Sequence, residues 1–156
     1  MAKTQVLFGN RIGKEGTVRI GCSAVIFDSS HEKILLTQRT DNEQWCLPSG
    51  RHEAGESVAE TCIREVFEET GVRIQIIRIT GVYSDPNKLV VYPDGNKAHI
   101  VALNFEAKII DGEIGISDET LACGFFSIEE ARQMDMLAGH LERIDDTVKN
   151  MGTLIK

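Results

Sequence analysis

Residues 50–72 read GRHEAGESVAETCIREVFEETGV. Ser57 and Glu60 have the S-x-x-E spacing of a capping box, in which two backbone N–H groups of the first helical turn find side-chain acceptors. Gly71 stands where a helix ends on a left-handed residue. The spacing predicts a helix over Ser57–Thr70. At roughly 100° per residue, Glu69 lies about 40° from Glu65 on one side and Glu68 about 60° on the other. The three carboxylates share one face. Ala59, Cys62, Ile63, Val66 and Thr70 form a neighbouring stripe suited to docking on a sheet.

Six glutamates stand against two arginines in these residues. Glu65 and Glu69 are a like-charge i,i+4 pair, unfavourable by roughly 0.2–0.5 kcal/mol. Glu68 and Glu69 also occupy the last turn, where the helix dipole disfavours an anion by about 0.3–1 kcal/mol each. Only Arg64, four residues before Glu68, opposes this. A solvated acidic flank is the ordinary fate of such a face, and it stays an alternative. A local rule broken twice in one place, however, marks a functional site. Divalent cations relieve the repulsion, and oxygen-only ligands suit Mg²⁺ or Mn²⁺.

Outward from this helix, the chain alternates strands and turns. Thr17–Asp28 reads as a strand and Lys33–Gln38 as its hairpin partner across Ser29–Glu32. Trp45–Pro48 is a short apolar stretch that stops at Pro48-Ser49-Gly50. Strand-like runs follow at Val72–Val82, Leu89–Tyr92, His99–Ile109 and Leu121–Phe126. Turns at Ser84–Asn87 and Pro93–Asn96 divide them. A second S-x-x-E at Ser127–Glu130 starts another helix, and Gly139–Asn150 reads as a third. This order predicts an α/β (α+β) sandwich with helices on the faces of a mixed sheet.

The 156 residues suit one domain spanning 1–156, and 42% hydrophobic residues supply a core. The net charge of −7 argues against binding nucleic acid polymers or anionic membranes. No apolar run is long enough for a transmembrane helix. The first sixteen residues carry no uninterrupted apolar segment, which predicts no secretory signal and a cytoplasmic location. Cys22, Cys46, Cys62 and Cys123 lack zinc spacing and are expected as reduced thiols. His31, His52, His99 and His140 show no ligand or triad spacing.

Gly50, five residues, Glu56, seven residues and then Arg64-Glu65-Val66-Phe67-Glu68-Glu69-Thr70-Gly71-Val72 resemble the Nudix box, G-x5-E-x7-R-E-U-x-E-E-x-G-U with U aliphatic. Every fixed position is met. Trp45-Cys46-Leu47-Pro48 is similar to the W-x-L-P lead-in of the family, while Ser49 departs from the second glycine of many members. The resemblance implies an α/β/α sandwich around a mixed sheet. It implies Glu65, Glu68 and Glu69 as ligands of Mg²⁺ (or Mn²⁺), joined by the Gly50 carbonyl. It also makes Glu56 and Arg64 a structural brace, and homodimers, frequent in the family, are open here. Members differ in their general base: a box glutamate (Glu65 or Glu68 here) or a later-loop glutamate, which Glu119 resembles in position.

The implied reaction is hydrolysis of the pyrophosphate in a nucleoside diphosphate linked to another moiety, a nucleotide-type small molecule. ADP-ribose or a nucleotide sugar comes first. Pro86, fifteen residues after Gly71, is near where members acting on ADP-ribose carry a proline. The alternatives are MutT-type hydrolysis of (oxidised) nucleoside triphosphates and a non-catalytic nucleotide-binding module. Arg39 is a candidate phosphate contact. Trp45 is a candidate base-stacking ring, with a core position as the competing reading. Tyr83 and Tyr92 line the cleft or simply pack.

Overall fold

The computed structural model describes residues 3–156. Strands β1 (Gln5–Phe8), β2 (Thr17–Ile26), β3 (Lys33–Arg39), β4 (Trp45–Cys46) and β5 (Ser49–Arg51) precede helix α1 (Val58–Thr70). Then come β6 (Val72–Tyr83), β7 (Lys88–Val91), β8 (Lys97–Gly112) and β9 (Thr120–Ser127). Helices α2 (Ile128–Arg132) and α3 (His140–Lys149) and strand β10 (Leu154–Ile155) complete the chain.

The larger sheet is mixed, in the order β1-β7-β8-β2-β5, with β6 also on β8 and β10 on β6. Its axis is the parallel pair β2 and β8, in register from Thr17 with Ala98 to Ile26 with Ala107. The smaller sheet is β4-β3-β9. Alternation along the strands feeds two cores. Cys22, Ala24, Ile26 and Leu35 meet Cys62 and Val66 of α1. Val25, Ile34 and Leu36 point the other way, into a core with Ala131 of α2 and Ile144 of α3. Helices therefore cover both faces, which is the sandwich expected from the order of elements.

The expected hairpin of β2 with β3 does not form. The two share one bridge, Phe27 with Ile34, beside a turn in which the Asp28 carboxylate accepts the Glu32 and Lys33 N–H groups. Both edges of β2 are already taken, by β8 and by β5. The third strand instead pairs with β9, from Lys33 with Ser127 to Arg39 with Thr120. Three elements had no clear signal in the sequence: β1, the short 3₁₀ turn Ile12–Glu15 and β10. Each is four residues or fewer and borrows its order from a partner strand or loop. No helix among the described residues is long and apolar enough to cross a membrane.

One buried polar residue ties α3 to the sheet. Asn104 of β8 is wholly buried. Its Oδ1 accepts from Ser23 Oγ at 2.6 Å, and its Nδ2 donates to Thr80 Oγ1 at 2.7 Å and to Thr147 Oγ1 at 3.3 Å. Asn104→Ala leaves a cavity and takes one hydrogen-bond partner from each of these three hydroxyls. We expect a loss of about 2–4 kcal/mol in unfolding free energy, read as a lower urea midpoint at unchanged slope.

Candidate metal and substrate site

Helix α1 begins and ends as its caps require. Ser57 Oγ accepts the Glu60 N–H at 3.1 Å, and the Glu60 carboxylate accepts the Ser57 N–H at 3.3 Å. Gly71 closes the helix with φ 82°, where a Cβ would also lie 2.8 Å from the Glu113 carbonyl oxygen. Cys62, Val66 and Thr70 are buried, and Glu68 is half-exposed.

Arg64 organises the acidic face. Its Nε and Nη2 fork onto the Glu56 carboxylate at 3.0 and 2.7 Å. Its Nη1 donates to Glu65 at 2.8 Å and to Glu68 at 3.3 Å, and Nη2 also reaches the Arg51 carbonyl at 3.2 Å. The guanidinium, with the Thr61 hydroxyl, holds the Glu56 carboxyl down at about 2. This geometry is that of a brace between the loop and the helix.

The carboxylates that meet are Glu65, Glu69 and Glu119, each with an oxygen within 4.8 Å of the others. Glu69 is 8% exposed, and burial, together with the nearby Glu65, pushes its pKa up to about 8. Burial raises that of Glu65 as well, against the pull of Arg64. Gly50 lies directly against this cluster: a Cβ there would sit 1.9 Å from the Glu65 carboxyl carbon. The sequence placed Glu68 in the same group, but its carboxylate turns outward to Arg64. Three hard oxygen donors, two of them inside and one at the mouth, gathered against a glycine, fit Mg²⁺ or Mn²⁺.

The cluster opens into a cavity of about 470 Å³. Arg39 and Tyr92 line it, and Tyr83 and Trp45 do not. Arg39 forks onto Asp41, with both contacts at 2.8 Å, and Asp41 also accepts from the Thr4 hydroxyl. Trp45 packs edge-on against Phe126, 5.0 Å between centroids, in the α2–α3 core. The stacking role considered for it thus has no support in its position. Tyr83 is buried and donates to Asp146 at 2.8 Å. The four thiols are unpaired. Sequence reasoning passed over Lys88, His140 and Arg143, which also line the cavity. For the last two, the available signal was helical spacing: His140, Arg143, Ile144 and Thr147 form the buried face of α3.

His140 is wholly enclosed, and burial, with Arg143, Lys88 and Arg39 nearby, holds its pKa well below the ordinary value. The folded ring stays neutral, whereas the unfolded ring takes a proton below about pH 6.5. Its contribution to stability is complete above that pH and is lost as pH falls, by about 1.4 kcal/mol per unit. The unfolding free energy of wild type minus that of His140→Gln should shrink by this amount between pH 7.5 and 5.5. A difference unchanged between the two pH values would contradict a neutral buried ring. For the carboxylates, millimolar Mg²⁺ or Mn²⁺ should raise Tm, because the cation binds only the folded cluster. Glu69→Gln should abolish that response while leaving the metal-free Tm equal or higher. Glu60→Gln should keep the response and lose a little stability as the cap weakens.

The model of the NUDIX domain matches residues 17–147 of this chain. An ADP-ribose pyrophosphatase of Methanocaldococcus jannaschii is 33% identical over 99 residues, covering 62% of this chain and 55% of that protein. A MutT-like protein of Streptomyces ambofaciens is 33% identical over 101 residues, covering 65% and 59%. The chain thus spans little more than half the length of these curated relatives. The crystal structure of an ADP-ribose pyrophosphatase from Streptococcus suis superposes with a TM-score of 0.67 at 23% identity, covering 90% of this chain and all of that one. At that identity the likeness speaks for the fold. With the box complete, its glutamates gathered in a cavity and the domain model spanning most of the sequence, the chain belongs to the NUDIX family.

Proposed function

We propose that this protein hydrolyses the pyrophosphate of a nucleoside diphosphate linked to another moiety, ADP-ribose or a nucleotide sugar first. The observation that carries the reading is the meeting of Glu65, Glu69 and Glu119 at the wall of one cavity. A chain of net charge −7 attracts no polyanion by its overall field. Glu65 and Glu69 would hold the divalent cations, with Glu68 at the rim and the Gly50 backbone against them. Bound there, the cations would neutralise charge developing on the phosphoryl oxygens and acidify a water.

The protein's own groups account for the rest. Glu119 is the proposed base. Its loop is set by Ser117, whose Oγ accepts the Glu119 N–H at 3.2 Å. Thr120 Oγ1 donates to the Glu69 carbonyl at 3.4 Å, tying that loop to the end of α1. An exposed carboxylate on a tethered loop can reach a proton at the buried pair and release it to solvent. Arg39, held by Asp41, presents a fixed guanidinium to a phosphate. The ADP-ribose reading draws on the named activity of the M. jannaschii relative. Pro86 adds nothing to it: the residue does not line the cavity, and its carbonyl instead accepts the Gly13 N–H at 2.9 Å. MutT-type hydrolysis of (oxidised) nucleoside triphosphates is the second reading, and it draws on the likeness to the MutT-like protein of S. ambofaciens.

A hydrolysis panel of ADP-ribose, nucleotide sugars, dinucleotides and canonical and oxidised nucleoside triphosphates tests this, with Mg²⁺, Mn²⁺ or EDTA. Turnover should require metal. Glu69→Gln should lower kcat by ~10³-fold, about 4 kcal/mol of transition-state stabilisation, and Glu60→Gln should leave it nearly unchanged. Ligand-induced stabilisation without turnover on any member would instead identify a binding module.

A further inference from the structure

The cavity that holds the carboxylates at one place collects positive charge at another. Lys88 of β7 and His140 and Arg143 of α3 wall it there. Arg143 is 6% exposed. Its Nη1 donates to Ser23 Oγ at 3.3 Å, its guanidinium lies 5.4 Å from the Tyr83 ring centre, and its Nε has no partner. Among the described residues no carboxylate pairs with it or with Lys88. The Lys88 ammonium donates only to the Ala138 carbonyl, at 3.3 Å. Asp85 and Glu142 are its nearest acidic influences, and neither forms an ion pair with it.

The histidine sharpens the imbalance. His140 Nδ1 accepts the Leu47 backbone N–H at 3.0 Å. A neutral ring that accepts at Nδ1 carries its proton on Nε2. That Nε2–H faces Arg143 Nη1 at 3.4 Å, a donor against a donor. The N-terminus of α3 lies here too, on Gly139, with no side chain capping it. Its dipole adds a further partial positive charge. Buried charge without a counter-charge is strongly unfavourable, and buried donors without acceptors are rare. Four features on three residues and one helix end lack the same thing, an anionic oxygen.

We propose that this end of the cavity is an oxyanion subsite. Arg143, Lys88 and the His140 Nε2–H hold a phosphate or carboxylate of the substrate other than the pyrophosphate at the glutamates. The assignment of that second group to a substrate rests on the hydrolase reading above. The three residues are then specificity determinants: they favour a nucleotide whose remote moiety carries its own acidic group. Ile20, Val90 and Ile100, which also line the cavity, suit the uncharged part of such a molecule.

The test does not need turnover. Orthophosphate and succinate are titrated calorimetrically into the metal-free protein in EDTA, where the glutamates repel both. One of the two should bind the wild type, and the tighter one names the group. Arg143→Met and Lys88→Met should each weaken that binding at least tenfold. The Tm of Arg143→Met should equal or exceed that of wild type, because no carboxylate pairs with the charge removed. A wild type that binds neither probe, or variants that bind as well as wild type, would overturn the subsite. So would a lower Tm of Arg143→Met with Lys88→Met binding normally, the mark of a structural arginine. If Arg143→Met does not fold, Lys88→Met decides alone. Paired nucleotide substrates with and without an added phosphate supply the second readout. KM for the first should rise at least tenfold relative to the second in Lys88→Met. Absence of turnover on every nucleotide would count against the hydrolase reading and leave the titration to decide the subsite.

Discussion

Arg64 is the single basic side chain on α1, and the site depends on how its five donors are divided. Two go to Glu56 and one to the Arg51 carbonyl, which pulls the loop from Gly50 to Ser57 down onto the helix. The remaining contacts offset charge on Glu65, at the edge of the inner cluster, and on Glu68 at the rim. Nothing is left for Glu69, which faces inward with its nearest guanidinium, Arg39, already committed to Asp41. The result is a graded face: braced at the loop, balanced at the rim and starved of positive charge at depth. Lysine could not divide itself this way, because a point-like ammonium lacks the planar fork.

The rest of the molecule keeps that face at the wall of a cavity. With Cys22–Ile26 of β2 buried on both sides, α1 is fixed on one face of the sheets and α3 on the other. Asn104 joins β2, β6 and α3 through hydroxyls, so the helix that carries His140 and Arg143 is located by hydrogen bonds as well as by packing. Acidic and basic groups end up on walls of one cavity without a direct ion pair between Arg143 and the glutamates. Opposite charges held apart in a shared space form a receptor for a ligand with more than one kind of polar group.

Local signals carried far. The cap at Ser57, the stop at Gly71, the second capping box at Ser127 and the shared face of Glu65 and Glu69 all lie within four residues of their partners, and all appear as read. Long-range pairing did not show. The turn after Asp28 forms, yet β3 leaves β2 for β9, a strand far along the chain whose Ser127 pairs with Lys33 and whose Thr120 pairs with Arg39. Glu68 satisfies the helical wheel but turns to Arg64, a choice of rotamer that periodicity does not register. Trp45, for which stacking and a core position were both open, and Arg143, which sequence reasoning passed over, are decided the same way. A ring that suits stacking went to a core, and an arginine in a charged helix went inside. What decides either case is the far side of the contact, which the local sequence does not contain.

The parallel register of β2 on β8 has a consequence for how the chain comes together. Thr17 cannot find its neighbour until Ala98 has been made, and Ile26 waits for Ala107. The box helix can coil early, since its caps are local, but the wall it docks on is half absent until β8 arrives. During synthesis on the ribosome, the acidic helix can meet β2, β5 and β6 first, and the core beneath it is completed only when Phe105 and Ala107 of β8 are made. Pairings this remote slow the closing of a fold. The order in which the polypeptide emerges completes the carboxylate cluster only when Glu119, after β8, has been made, although Glu65 and Glu69 lie in the first half of the sequence.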